Sequence, residues 1–454
     1  MREWIANLSM LFGGPIMVWA AGAVGVYLMM KSRFVPVRYF VRSLALVFRG
    51  ISSKEKGSSF RALATALSGT LGTGNIAGVT VALSVGGAGS IFWMWVSAFF
   101  GMATKYTEIV LAVKYRKKDG EEYRGGPMYY LPPILAVFFS VFCTAASFGV
   151  GNIVQTNTAF CAVRTAFPDI PILAYFSVFL MAAGVFCILR GGMRGVSAFL
   201  EKVLPLLAGG YMILCFTVFF CRPHWVTDAF SRIFTEAFSP WSAIGGAGGY
   251  YIMKAMRTGC AKGIFTNEAG LGSAPIAHAS ASCTVPAEQG LWGIFEVFFD
   301  TIVMCTLTSI VILGAFPEGV QGSDGIMIAM TAFSSVLGSW AGGIIGIAVC
   351  FFAFVSVLAW GGYALEALKY YKIGRNGVLL YITAYTAATL LSIWITPDLA
   401  WECADILNAM MLLPNLLGIV CLSSEMQYET KRLNVGNSCL KQRKRVSRSK
   451  KSGF

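Results

Sequence analysis

About eleven stretches of this chain run for close to twenty residues with few charges, near 12–30, 62–87, 91–113, 134–160, 171–189, 203–221, 243–264, 291–316, 340–363, 377–395 and 404–423. The hydrocarbon core of a bilayer, about 30 Å thick, takes about 20 apolar residues per helix. The sequence therefore predicts an all-α membrane protein of about 11 transmembrane helices. Composition agrees: 56% of the 454 residues are hydrophobic and 13% charged, whereas a soluble domain is about a quarter charged. The loops are short, so any activity lies in or across the membrane.

The run from Leu11 to Met30 is followed by Lys31, Arg33, Arg38 and Arg42, which reads as a retained span with a stop-transfer flank. With alternating spans and the N-terminus outside, 31 of the 36 Lys and Arg fall on the inner side. This obeys the positive-inside rule and places the C-terminus in the cytoplasm. The net charge of +14 is then topological; the partner it implies is a lipid bilayer and not a nucleic acid. The closing KQRKRVSRSKKSGF is expected to be disordered beside an anionic inner leaflet. The 12 Cys never form C-x-x-C, and His224 and His278 are the only histidines, so neither a metal centre nor a disulfide framework is expected.

Setting the first run aside leaves five plus five. The division is an extra helix and basic loop over 1–61, five-helix units over 62–221 and 222–423, and a basic tail over 424–454. A unit with an odd number of spans is followed by its partner in the opposite orientation. Each unit opens on a glycine-rich span, 62–87 with GTLGTGNIAG and 243–264 with AIGGAGGYY ahead of MRTGCAKG. Paired interruptions at matching positions mark a transporter's binding site.

Gly69, Gly72, Gly74 and Gly78 each weaken a helix by about 1 kcal/mol relative to alanine, which predicts unwinding from Leu71 to Asn75. Unwound backbone at membrane depth exposes amides that suit a carboxylate and carbonyls that suit an ammonium group or a sodium ion. Gly74 and Gly78 also have the G-x-x-x-G spacing of close helix packing. A dinucleotide loop does not fit, because no strand precedes the glycines, and a phosphate loop does not fit, because Asn75 follows Gly74.

Charges inside the spans need a reason, since each costs about 2.5–3.5 kcal/mol at the centre. Lys105 and Glu108 are three apart on one face and are expected to form an ion pair. Glu296 and Asp300 are four apart, and Asp300 opens a polar ridge with Thr301, Thr308 and Ser309. Asp300 suits either a cation path or hydrogen bonding within the bundle. Gln155, Ser356 and Trp360 are candidates to face inward; the last two are four apart on one face.

The stretches GTGNIAGV, GGPMYYL, GNIVQTN, FTNEAGLGSAPIAHA, QGLWGIFEVFFDTIV and DILNAMMLLPNL follow one another between about residues 60 and 420. In these the chain resembles the alanine or glycine:cation symporters of prokaryotes, within the amino acid-polyamine-organocation superfamily. The resemblance implies a leucine-transporter-like 5+5 inverted repeat with one extra N-terminal helix, in a prokaryotic plasma membrane. It implies that a substrate carboxylate meets the amides of Thr73 and Gly74, that Asn75 ends the break, that Gln155 contacts the substrate and that Trp360 caps the pocket. By similarity to the superfamily's sodium site, the carbonyls of Ser68 and Leu71 and the hydroxyl of Ser356 are ion ligands. This chain departs from the family with Val355-Ser356 ahead of VLAW, one hydroxyl short.

The resulting expectation is a secondary active symporter, not an enzyme, that imports alanine or glycine with a cation, Na+ ahead of H+, and uses no cofactor. The alternatives are a proton-coupled or uncoupled carrier with Asp300 or Glu296 titrating, a membrane-embedded enzyme using His278 beside Glu268, and a passive channel. TNEAGLGSAPIAHA marks the family, and sequence alone gives Asn267 and Glu268 no role.

Overall fold

The computed structural model describes residues 8–9, 16–52, 58–238, 247–320 and 325–433. Nearly all of this is helix. After α1 (Met17–Lys31) and the amphipathic α2 (Phe40–Ser52) comes a broken pair, α3 (Ser58–Thr70) and α4 (Ala77–Gly86), joined through a 3-10 turn at Thr73–Asn75. Next are α5 (Gly89–Tyr115), a two-stranded antiparallel hairpin of β1 (Lys117–Asp119) and β2 (Glu122–Arg124), and α6 (Pro133–Phe148). A π-helical stretch, Gly149–Val154, leads into α7 (Gln155–Ala166), followed by α8 (Ile172–Leu189) and α9 (Gly192–Cys221).

A second series repeats this order. Behind α10 (His224–Phe238) come α11 (Ala247–Asn267) and the short α12 (Ala274–His278). Then α13 (Pro286–Val297) runs through a π-helical Phe298–Cys305 into α14 (Thr306–Ala315). The series ends with α15 (Gly325–Leu337), α16 (Ser339–Tyr370), α17 (Arg375–Leu391) and α18 (Pro397–Cys421). Among the described residues eight helices are long and apolar enough to cross a membrane, and α3–α4, bent by 59°, makes a ninth. α1 and the α11–α12 pair, the latter carrying Lys254, Arg257 and Lys262, fill the two remaining places.

Burial sorts the spans into a centre and a shell. α5 and α13–α14 are 72% buried over their apolar windows, whereas α9 and α17 are 28% buried. The shell presents Ile172, Phe179, Leu206, Phe220 and Leu380 outward, as lipid contact requires, while Trp360, Tyr106, Tyr211, Tyr363 and Tyr385 fill the interior. Without a hydrophobic drive between helices in lipid, close approach depends on small residues. α11 therefore lies on α5 through Gly259 and Gly263, where an added Cβ would sit 2.1 Å from the Ser90 carbonyl and 2.2 Å from the Ser97 hydroxyl.

The hairpin marks one end of the molecule. Arg116 reaches from the end of α5 to the carbonyls of Ala279 at 3.2 Å and Cys283 at 2.6 Å, so the hairpin is fastened beside α12. Around it lies a ring of ion pairs: Arg61–Glu201 at 2.6 Å, Arg194–Glu122 at 2.9 Å, Arg124–Asp119 at 2.7 Å and Lys369–Glu366 at 2.8 Å. Lys262 instead borders a cavity with Ser84, Asn157 and Trp401 at the opposite end. Lys254, Arg257 and Lys262 belong to the part of α11 that precedes the break, so the inner side of the expected topology holds three basic residues fewer than the sequence count. The charge bias survives without them.

Candidate functional site

The first break falls where the glycines place it. Helical bonding ends with the Leu71 amide on the Leu67 carbonyl at 2.7 Å, and the Gly72 amide turns back to Thr70 at 2.8 Å. The Thr73 amide then leaves the helix and donates to Gln155 Oε1 at 3.0 Å, joined by the Thr73 hydroxyl at 3.0 Å. Gly72 is the meeting point: a Cβ there would lie 2.8 Å from Gln155 Oε1 and 3.2 Å from Ser356 Oγ. Gln155 is delivered by the π-helical Gly149–Val154, a distortion common at functional sites.

Ser356 donates to the Gly69 carbonyl at 3.1 Å, and the Ser68 hydroxyl bonds back to Ala64 at 2.7 Å. Leu71 and Val355 are fully buried beside them. Gly74 faces α11, where a Cβ would meet Thr266 at 3.1 Å and Phe265 at 3.5 Å, so the packing reading of G-x-x-x-G holds at Gly74 as well. Phe265 packs at a tilt against Trp401 with ring centroids 4.9 Å apart, and Lys262 Nζ lies 4.5 Å from the Trp401 ring. Trp401 and Lys262 line a cavity of about 630 Å³ at the end opposite the hairpin.

The second break corrects the sequence reading. α11 is continuous through Gly259 and Gly263, while 239–246, with the start of AIGGAGGYY, lie outside the described residues. Helix geometry fails only at Glu268, Gly270 and Gly272, whose φ angles are +53°, +96° and +81°. Glycine enters that region without strain and glutamate does not. The interruption is thus TNEAGLGS, beyond the expected span 243–264, and it supplies the role missing for Asn267 and Glu268.

The two breaks are wired together. Asn75 Nδ2 donates to Asp300 Oδ1 at 2.9 Å, Thr301 Oγ1 donates to Asp300 Oδ2 at 2.9 Å, and Asn267 Nδ2 donates to Thr301 Oγ1 at 3.2 Å. Asn267 Oδ1 then accepts the Ala269 amide at 3.0 Å. Asp300 is fully buried, and the buried Asn75 Oδ1 has no partner among the described residues. Asp300 therefore bridges the helices, with an acceptor oxygen left open beside it.

The expected Lys105–Glu108 pair is replaced, and the His278–Glu268 pair of the enzyme alternative does not form. Lys105 does not bond Glu108; its ammonium meets Glu296 at 3.3 Å and the Glu268 carbonyl at 3.2 Å. Glu108 instead accepts from the Gly270 amide at 3.2 Å and from Asn415 at 2.5 Å. His278 does not bond Glu268 either. It faces Glu296 at 3.0 Å and Gln289 at 2.8 Å, and Ser59 extends the line to α3 by bonding Gln289 at 2.7 Å. Every polar group of His278 is engaged in tying α3, α12 and α13 together, an arrangement suited to rigidity and not to acid–base work.

Trp360, fully buried, lies one turn from Ser356 toward the hairpin end and donates its indole N–H to Glu268 Oε1 at 3.0 Å. Its other face is pressed on Gly151, where a Cβ would come within 2.3 Å. Thr73, Gly74, Asn75, Gln155, Ser356 and Trp360 are thus gathered in one buried zone between the breaks. Within it a side-chain oxygen, Gln155 Oε1, already sits on the Thr73 amide.

The description that matches this chain, over residues 1–446, is the sodium:alanine symporter family. The chain belongs to that family. A sodium/alanine symporter of Methanococcus maripaludis is 38% identical over 93% of this chain and 94% of its own length. An uncharacterized transporter of Haemophilus influenzae is also 38% identical, over 93% and 94%. An amino-acid carrier protein of Bacillus subtilis is 33% identical over 88% and 85%. The symporter is accordingly a multi-pass membrane protein that couples amino-acid movement to a cation, and it is not an enzyme. In the symporter the helix breaks and their polar relay occupy the centre of the molecule.

Proposed function

We propose that the symporter imports alanine, with glycine as a second substrate, together with Na+. The observation that carries the reading is the Thr73 amide held on Gln155 Oε1 in the buried break. A carboxamide oxygen stands there where a substrate carboxylate oxygen accepts when Gln155 swings aside, and the adjacent Gly74 amide shares the charge. In this reading Trp360 and Phe265, on either side of the first break, wall the substrate's side chain. The M. maripaludis relative's name points to the same substrate and ion.

For the ion, the Ser356 hydroxyl lies on the Gly69 carbonyl at the inner stump of the first break, and the carbonyls of Ser68 and Leu71 complete the proposed ligand set. Asp300, with the open oxygen of Asn75 beside it, supports a cation path on the other side of that break. The units 62–221 and 222–423 act as the two halves of an alternating-access machine, behind the extra helix and loop of 1–61 and ahead of the tail 424–454. The N-terminus is outside, and the hairpin end and the tail are cytoplasmic in a prokaryotic plasma membrane. The cavity at Trp401 is the entry, and the ring of ion pairs is the inner closure.

The test is uptake of labelled alanine into proteoliposomes under an inward Na+ gradient, against K+ at matched pH and voltage. Accumulation in Na+ alone is expected, with Ser356→Ala raising the Na+ concentration for half-maximal uptake about tenfold, the worth of one polar ligand. Equal uptake in both salts overturns Na+ coupling and moves the role to protons at Asp300.

A further inference from the structure

We infer that Glu268 is a positioning residue that fixes the Trp360 indole and thereby sets the size of side chain the pocket accepts. The inference rests on the substrate site proposed above. Glu268 is 3% exposed and has both carboxylate oxygens engaged by neutral donors: Oε1 by the Trp360 indole at 3.0 Å and Oε2 by the Ser273 hydroxyl. Its carbonyl is held by the Lys105 ammonium at 3.2 Å and by the Leu271 amide at 3.2 Å. Its φ of +53° is the left-handed conformation that a glutamate adopts only under constraint. If this position served only to end a helix, glycine or asparagine would do so with less strain.

What glutamate adds is reach. The Glu268 backbone belongs to the second break, and its carboxylate ends on an aromatic ring supplied by α16. The bond, 3.0 Å long between two buried groups, fixes which way the indole plane faces. Gly151 lies against the base of the Trp360 side chain so closely that no Cβ fits between them. The pocket wall on the hairpin side is therefore one unit built from two helices. While the bond lasts, Trp360 remains where only a small side chain fits. When the second break moves against α16, the bond parts and the same wall opens toward the hairpin end.

The experiment measures uptake kinetics of alanine and of 2-aminobutyrate, one methylene larger, in proteoliposomes of the full chain. The variants are Glu268→Gln, Glu268→Ala, Trp360→Phe and the double Glu268→Ala/Trp360→Phe. A pocket wall discriminates one methylene by about 10- to 200-fold in kcat/KM. Glu268→Ala is expected to reduce the alanine preference about tenfold, chiefly by raising KM for alanine. Glu268→Gln, which keeps an acceptor for the indole, should retain most of the preference. In the Trp360→Phe background the Glu268→Ala change should have no further effect on the ratio.

An unaltered ratio in Glu268→Ala overturns the inference, as does an equal loss in the Trp360→Phe background. Should Glu268→Ala fail to fold, Ser273→Ala takes its place, because it frees one carboxylate oxygen without removing the acceptor; a smaller shift in the same direction is then required. If the unaltered protein moves no alanine, the substrate reading fails first. If it moves alanine but the ratio is insensitive to Glu268, only this inference fails.

Discussion

Replacing Glu296 with leucine should destabilise the protein by about 3–5 kcal/mol, the cost of leaving a buried charge without its partner. Lys105 and Glu296 are both fully buried and 3.3 Å apart. With Glu296 gone the ammonium retains only the Glu268 carbonyl, and His278 loses the carboxylate at 3.0 Å. The loss is read as a lowered Tm in detergent or nanodiscs. The double change Lys105→Met/Glu296→Met should recover most of it, because a buried pair exchanged for apolar residues of similar volume is often neutral. A double variant no more stable than the single one would show that the charges act separately.

Gly72→Ala should raise the alanine KM between about tenfold and a hundredfold and leave Tm nearly unchanged. Gly72 has a φ of −108°, open to any residue. Space is what demands glycine, since the added methyl would stand 2.8 Å from Gln155 Oε1 and 3.2 Å from Ser356 Oγ. Gln155 is the more flexible neighbour and gives way, which removes the contact to the Thr73 amide. Binding of labelled alanine to the purified protein, by scintillation proximity, separates this from a folding defect. Normal affinity in Gly72→Ala would mean that the substrate carboxylate lies elsewhere.

The scaffold was legible because lipid leaves few choices: among the described residues the apolar runs are helical, and four glycines within one run marked the first break. The second break was not. Gly259 and Gly263 have the same spacing as breaker glycines, and only the nearness of the Ser90 carbonyl shows that they serve packing. The true break, TNEAGLGS, lies past the apolar run, where hydropathy carries no signal. Its positive-φ glycines at 270 and 272 were the available clue. Lys105 and Glu108 failed as a pair for a related reason. Spacing along one helix shows which residues share a face, but Glu296 from α13 and the Gly270 amide from the break made better partners than either made for the other. Gln155, Ser356 and Trp360 emerged as polar or aromatic residues in apolar runs. Their acceptors and donors, Gly69, Thr73 and Glu268, are visible only when the helices are placed.

The two closures of this molecule differ in kind. At the hairpin end the contacts are ion pairs with partly exposed members, such as Arg61 at 45% and Arg194 at 62%, where dissolved ions screen attraction within about 8 Å at physiological ionic strength. Between the breaks, the relay from Asn75 to Asn267 is buried, and bulk salt screens buried groups much less. Ionic strength is therefore expected to weaken the pairs at the hairpin end and to leave the buried relay unchanged. A vesicle salted on the hairpin side alone is expected to open more readily to that compartment, and with that side cytoplasmic, as proposed above, the salt content of the cell becomes a setting on how readily cargo is released.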